Sequence, residues 1–233
     1  MSWVLLHGFT GSPEHWSEVL EADAEPVLGH HPSLLDPSAT FEGEVDRLAT
    51  ALQARTAAPR HLVGYSMGSR LALGLLARHE RLLSRATLIS LHPGLSTPAE
   101  RRERAEGDAH WAALLTAGIE PFVEAWEAQP LFASQRRVPP EVRARHRARR
   151  LRHSAAGLQL ALRTLGLAQM PDYREALRRA RLPVQLVAGA EDEKFLALAR
   201  DFPERPLRIV PGAGHDVVLE QPRALAHLLE AAP

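Results

Sequence analysis

At 233 residues, 45% of them hydrophobic, the chain is long enough to build one sizeable core with a lid on it, and a single domain over residues 1–233 is expected. Lys and Arg together number 28, as do Asp and Glu, so no global field draws in nucleic acid or an anionic membrane, and any charged partner must be recognised locally. The absence of cysteine excludes a disulfide framework, a thiolate nucleophile and a thiolate metal site.

The chain opens MSWVLLHGF, where the apolar run Trp3 to Leu6 lacks the basic start and longer core of a secretory signal. No stretch approaches the roughly 20 apolar residues of a membrane-spanning helix, because Arg or Glu interrupts every long Ala/Leu run. These features predict a soluble cytoplasmic protein. Trp3 to Leu6 reads as a buried strand running into the glycine-rich loop His-Gly-Phe-Thr-Gly-Ser. Glu25 to Leu28 is a weaker strand candidate. Residues 42–56 have helical spacing at Val45, Leu48 and Leu52, and Arg60 to Gly64 gives a second buried strand. A sharp turn at Gly64 to Gly68 opens an Ala/Leu-rich helix to about residue 79, and Ala86 to Ser90 is the next strand. This alternation predicts an α/β protein with a mostly parallel central sheet flanked by helices. Residues 98–166 then read as helix after helix with no strand, an inserted helical cap. Alternation resumes with a helix near Tyr173 to Ala180, a strand Val184 to Ala188, a helix Lys194 to Arg200, a strand Leu207 to Val210 and a last helix Gln221 to Leu229.

Gly64-Tyr65-Ser66-Met67-Gly68 fits the nucleophile elbow, in which flanking glycines let a serine sit in a strained strand-to-helix turn with its hydroxyl projecting from the sheet. Three fixed positions of this composition recur by chance in roughly one chain in ten. The apolar strand before the motif and the small-residue helix after it favour the α/β-hydrolase fold. That fold supplies the base and its orienting carboxylate in the order Ser, Asp, His. Asp192 follows the strand Val184 to Ala188, and His215 follows the strand Leu207 to Val210. Asp192 can alternatively be a helix N-cap, and His215 is one of twelve histidines. Backbone amides of Phe9 and Met67 are the expected oxyanion donors, while His7 reads as a structural histidine that bonds its loop. The histidines are scattered without HExxH or comparable spacing, so no metal and no cofactor are expected.

HPGL (92–95), ERRERAEGDAHWA (100–112) and FVEAWEAQPLFASQ (122–135) in the cap add a more specific signal. Together with LLHGFTGS (5–12), GYSMGSRLAL (64–73), GAEDEKF (189–195) and PGAGHDVVLEQP (211–222), they resemble the 2-succinyl-6-hydroxy-2,4-cyclohexadiene-1-carboxylate synthase family of menaquinone biosynthesis, MenH. The resemblance spans nearly the whole chain. It departs at LGLAQMPDY (165–173), where many members have a Gln-Pro pair. It implies a lyase that eliminates pyruvate from 2-succinyl-5-enolpyruvyl-6-hydroxy-3-cyclohexene-1-carboxylate, with the Ser-His pair as base. It also implies a clamp of Arg70, Arg104 and Arg150 on this polyanionic carboxylate, and a pocket lined by Tyr65, Trp126 and Phe132.

Arg70 lies four residues after Ser66, on the same helix face. Arg104 stands four residues before Asp108, where an exposed ion pair explains it equally well. Arg150 belongs to a run with Arg143, Arg145, Arg147, Arg149 and Arg152, any of which can point inward. That run lacks interleaved aromatics and reads as a solvated helix face rather than a nucleic-acid surface. Trp126 and Phe132 can equally be cap core. The competing reading is a carboxylic-ester hydrolase or thioesterase in which Ser66 attacks a carbonyl. A monomer or small homo-oligomer fits either.

Overall fold

The short apolar runs become strands because both of their faces are covered. In the computed structural model, which describes residues 3–55 and 60–231, β1 (Trp3–Leu6), β2 (Asp23–Glu25), β3 (Arg60–Tyr65), β4 (Leu83–Ile89), β5 (Val184–Gly189) and β6 (Leu207–Val210) form one sheet. Its order is β2-β1-β3-β4-β5-β6 and every pairing is parallel. Leu6, Leu62, Leu88 and Leu186 point to one face, and Leu5, Val63, Ile89 and Val187 to the other, the period-2 alternation of a doubly covered sheet. The first face packs on α1 (Phe41–Arg55), α2 (Met67–His79) and, between β4 and β5, part of a helical insertion.

That insertion comprises α3 (Pro98–Thr116), α4 (Ile119–Glu127), a 3-10 segment (Pro130–Arg137), α5 (Pro140–Leu151) and α6 (Ala155–Leu165). Thr97 and Glu100 form a capping box at the start of α3, and Ser154 caps α6. The amphipathic α6 serves two cores, with Leu158 and Leu162 facing Leu115, Phe122 and Val123 while Leu160 and Leu165 join the main core. Arg101 ties the start of the insertion to its end, its guanidinium donating to the carbonyls of Leu95 (3.0 Å), Ala168 (3.0 Å) and Met170 (2.7 Å). The chain then continues through α7 (Arg174–Arg179), α8 (Glu193–Arg200), α9 (Val217–Glu220) and α10 (Pro222–Glu230). Val217, Leu225 and Leu229 of the last two cover the second sheet face.

Two expectations shift. The strand expected over Glu25 to Leu28 lies at Asp23–Glu25, because Pro26 has no N–H to continue the ladder, and Leu28 instead donates its N–H to Glu44 (2.9 Å). The single last helix expected from Gln221 is two, since Pro222 pushes Gln221 out of the helical region to φ −140°. Residue 56, at the end of the expected first helix, and residues 1 and 2 of the opening run lie outside the described residues.

Candidate active site

Strand order reverses beside β1, whose neighbours β2 and β3 follow it on opposite sides, so the carboxyl ends of β1 and β3 flank the crevice where open α/β sheets bind ligands. Ser66 caps α2 there with φ 52° and ψ −110°, a left-handed φ that side chains rarely adopt. The elbow is held from three sides. The Ser66 N–H donates to the carbonyl of Ile89 (2.9 Å), and the Ser69 hydroxyl bridges the carbonyls of Gly64 and Ile89 (2.6 Å each). A Cβ on Gly68 would collide with the carbonyl oxygen of Leu6, so only glycine lets α2 begin this close to β1.

His215 and Asp192 approach from the loops after β6 and β5. The Ser66 hydroxyl donates to His215 Nε2 (3.0 Å), and His215 Nδ1–H donates to the Asp192 carboxylate (2.8 Å). Asp192 is 4% exposed and His215 3%, so the bond between them is shielded from water, while the Ser66 bond is half-buried at the cavity. The Ser90 hydroxyl donates to the carbonyl of His215 (3.0 Å), and the ring of Phe195 lies 4.5 Å from the imidazole. Hydrogen bonds in this order let a serine serve as proton relay or nucleophile with the histidine as its base. Phe9 and Met67 line the same cavity, and the amide of neither has an acceptor among the described residues. His7 behaves as a loop-bonding residue: burial pushes its imidazole down to about 3, and its Nδ1–H donates to the carbonyl of Gly8 (2.9 Å).

The cavity beside Ser66 has a volume of about 270 Å³ and carries three cations on its wall, Arg70, Arg104 and Lys194. Arg70, 8% exposed, has no carboxylate within ion-pairing distance among the described residues and donates to the carbonyl of Leu165 (2.7 Å). Burial, with Arg104 nearby, pushes its guanidinium down to about 9, still charged at neutral pH. Arg104 does pair with Asp108 (2.9 Å), whose carboxyl is raised by burial against the pull of Arg104, and whose second oxygen has no partner. Lys194 is exposed and has no acidic partner among the described residues. Burial and the charge of Lys194 push His92, also on the wall, down to about 3.

Tyr65, Trp126 and Phe132 line this cavity, and Trp126 is also core, stacked on Phe122 at 5.6 Å and edge-on to Trp111 at 5.0 Å. Arg150 does not line it. Its guanidinium pairs with Glu127 (2.9 Å) and lies 5.8 Å from the Phe132 ring centre, in an adjoining groove that shares Gln129 and Phe132 with the cavity. Gln169 of the divergent LGLAQMPDY stretch is also absent from the wall, where Gln129 supplies an amide instead. Sequence reasoning missed Lys194, His92 and Ser90. Of these only Ser90, directly after the last residue of β4, carries a positional signal.

Residues 3–228 match the model of the alpha/beta hydrolase family. A provisional 2-succinyl-6-hydroxy-2,4-cyclohexadiene-1-carboxylate synthase of Bacillus subtilis (strain 168) is 35% identical over 97% of this chain and 88% of its own length. The synthase of the same name from Enterobacter sp. (strain 638) is 34% identical, over 97% of this chain and 89% of its own. Among solved structures, MenH from S. aureus superposes with a TM-score of 0.92 at 28% identity, covering 99% of this chain and 92% of that one.

Proposed function

The chain belongs to the alpha/beta hydrolase family and, within it, to the 2-succinyl-6-hydroxy-2,4-cyclohexadiene-1-carboxylate synthases, and from that membership we propose that it eliminates pyruvate from 2-succinyl-5-enolpyruvyl-6-hydroxy-3-cyclohexene-1-carboxylate in menaquinone biosynthesis. The observation that carries the reading is the hydrogen-bonded chain Ser66–His215–Asp192 at 3.0 and 2.8 Å, opening on a cavity walled by three cations.

The ring names of substrate and product define the step. A 3-ene becomes a 2,4-diene, so the proton leaves C2, which is α to the succinyl ketone, and the C5–O bond breaks. His215 draws the proton from Ser66, whose Oγ takes the C2 proton. The resulting enolate oxygen is stabilised by the amides of Phe9 and Met67. Its electrons then shift the ring double bonds and expel enolpyruvate, which takes up a proton and tautomerises to pyruvate. No acyl-enzyme forms, and the step is redox-neutral. The substrate carries three carboxylates, on the ring, the succinyl arm and the enolpyruvyl group. Arg70, Arg104 and Lys194 are the three cations available to them, with Tyr65, Trp126 and Phe132 packing the hydrocarbon. On this reading the protein is a single-domain cytoplasmic enzyme with residues 98–166 as its cap.

The same triad would serve an esterase, and charge separates the two, because a neutral ester gains nothing from three fixed cations. The test supplies the freshly generated enolpyruvyl substrate and a short-chain nitrophenyl ester in parallel. Pyruvate release should dominate, and Ser66→Ala should lower it about 10³-fold or more. Ester turnover without pyruvate above background would transfer the assignment to a serine hydrolase.

A further inference from the structure

The loop after β1 closes a tight turn, in which the Gly11 N–H donates to the carbonyl of Gly8 (3.0 Å) and Phe9 and Thr10 take the two central places. Thr10 sits there with a φ of 62°. A left-handed φ strains a β-branched residue, so the turn keeps this shape only where its surroundings enforce it. Apart from glycines, Ser66 and Ser90 are the other described residues with a positive φ, and both line the cavity beside the triad.

Two imidazoles enforce the turn. The Thr10 N–H donates to His30 Nε2 (3.1 Å), and the Thr10 carbonyl accepts from His153 Nε2–H (3.1 Å). His30 stands on the loop after β2 and His153 just past the end of α5, so one residue is gripped from the host sheet and from the helical insertion at once. Thr10 is 3% exposed, which keeps water from competing for either group. The first bond also fixes the state of its acceptor. His30 Nδ1–H donates to the carbonyl of Leu28 (3.1 Å), and Nε2 then has a lone pair to offer only while the ring is neutral. Burial and the neighbouring imidazoles of His7 and His153 hold His30 well below its ordinary 6.5, which keeps it neutral.

We propose that His30, backed by His153, is a positioning residue for the oxyanion site, fixing through Thr10 the turn from which the Phe9 N–H serves the cavity. The inference rests on the oxyanion role given above to the Phe9 amide, a role that elimination and ester hydrolysis share. Without the clamp Thr10 relaxes to a negative φ, the turn from Gly8 to Gly11 changes shape, and the donor moves off the developing charge while the rest of the wall stays in place. The loss therefore falls on kcat rather than on KM.

The experiment compares His30→Leu, His30→Gln and His153→Leu with the wild type in steady-state pyruvate release, or in nitrophenyl-ester release if no pyruvate forms, with rates taken per folded molecule well below the melting temperature. His30→Leu should lower kcat about 30-fold or more with KM within about twofold, short of the full loss of an oxyanion donor. His30→Gln, whose amide oxygen can accept the Thr10 N–H, should recover most of that loss. His153→Leu leaves the His30 bond intact and should lower kcat about threefold or more. Glycine adopts a positive φ without help, so His30→Leu should do at least about threefold less damage in a Thr10→Gly background. Nuclear magnetic resonance of nitrogen-labelled wild type should show a scalar coupling between the Thr10 amide nitrogen and His30 Nε2, whatever the substrate. Absence of that coupling, wild-type kcat in a folded His30→Leu, a change confined to KM, or equal losses in His30→Leu and His30→Gln would overturn the proposal. Should His30→Leu fail to fold, wild-type kcat in His153→Leu would overturn it in its place.

Discussion

Three cations border the cavity, and they differ in what else holds them. Arg70 is buried and tied to the carbonyl of Leu165, Arg104 shares its charge with Asp108, and Lys194 is exposed with no acidic partner among the described residues. On the proposed function, Arg70 would therefore meet a substrate carboxylate already desolvated, whereas Lys194 would have to shed water to do so. Replacing Lys194 with Ala should raise KM about fivefold, roughly 1 kcal/mol, with kcat nearly unchanged, as steady-state pyruvate release would register. A change in kcat of similar size would mean that Lys194 acts on the transition state instead. Arg70 was legible in the sequence because its four-residue spacing from Ser66 is a property of any helix. Lys194 was not, since a lone lysine two residues after Asp192 has no periodicity to betray it. The ion pair of Arg150 was illegible for the opposite reason. In a run of alternating arginines, spacing cannot say which one Glu127, twenty-three residues earlier, will draw in.

At the scale of elements, the join of β3 to α2 is the most tightly specified part of the chain. The left-handed φ of Ser66 and the approach of α2 to β1 must be satisfied together, and Gly68 meets the second condition by having no side chain. Gly68→Ala should cost about 3 kcal/mol or more in urea unfolding, because its Cβ meets backbone that cannot rotate away. Such conflicts are readable from sequence, which is why the elbow and the loops bearing Asp192 and His215 fell where strand and turn patterns predicted. The shifted β2 and the divided last helix follow from Pro26 and Pro222, visible residues whose influence on their neighbours was underweighted.

The whole molecule carries several histidines as buried neutral groups. Burial pushes His7, His92 and His146 down to about 3 and His61 to about 4, from an ordinary 6.5. A folded-state value below the unfolded one means that the unfolded chain binds more protons. Stability is then full above pH 6.5 and is lost as pH falls toward the folded values. For His61, stacked on Trp3 and bonded to the Thr87 hydroxyl (2.8 Å) far from the triad, the window is pH 6.5 to about 4. Across it, His61→Gln should flatten the slope of unfolding free energy against pH by about 1.4 kcal/mol per unit, the weight of one proton, measured by denaturant titration. An unaltered slope would show that His61 is protonated in the folded protein.

One guanidinium, that of Arg101, fastens Leu95 to Ala168 and Met170 and so brings the two ends of the helical insertion to a single point. A segment whose ends meet is joined to its host like a pendant on one link. It can be lengthened, shortened or exchanged without asking any strand to move. The triad stands on the host together with Arg70 and Lys194, while the pendant contributes Arg104, Trp111, Trp126 and Phe132 to the wall, so part of the choice of reactant is inherited through a separate stretch of chain. Diversification of substrate range within this architecture therefore has a natural unit, and it is about seventy residues long, the span from Leu95 to Met170 less its tethers.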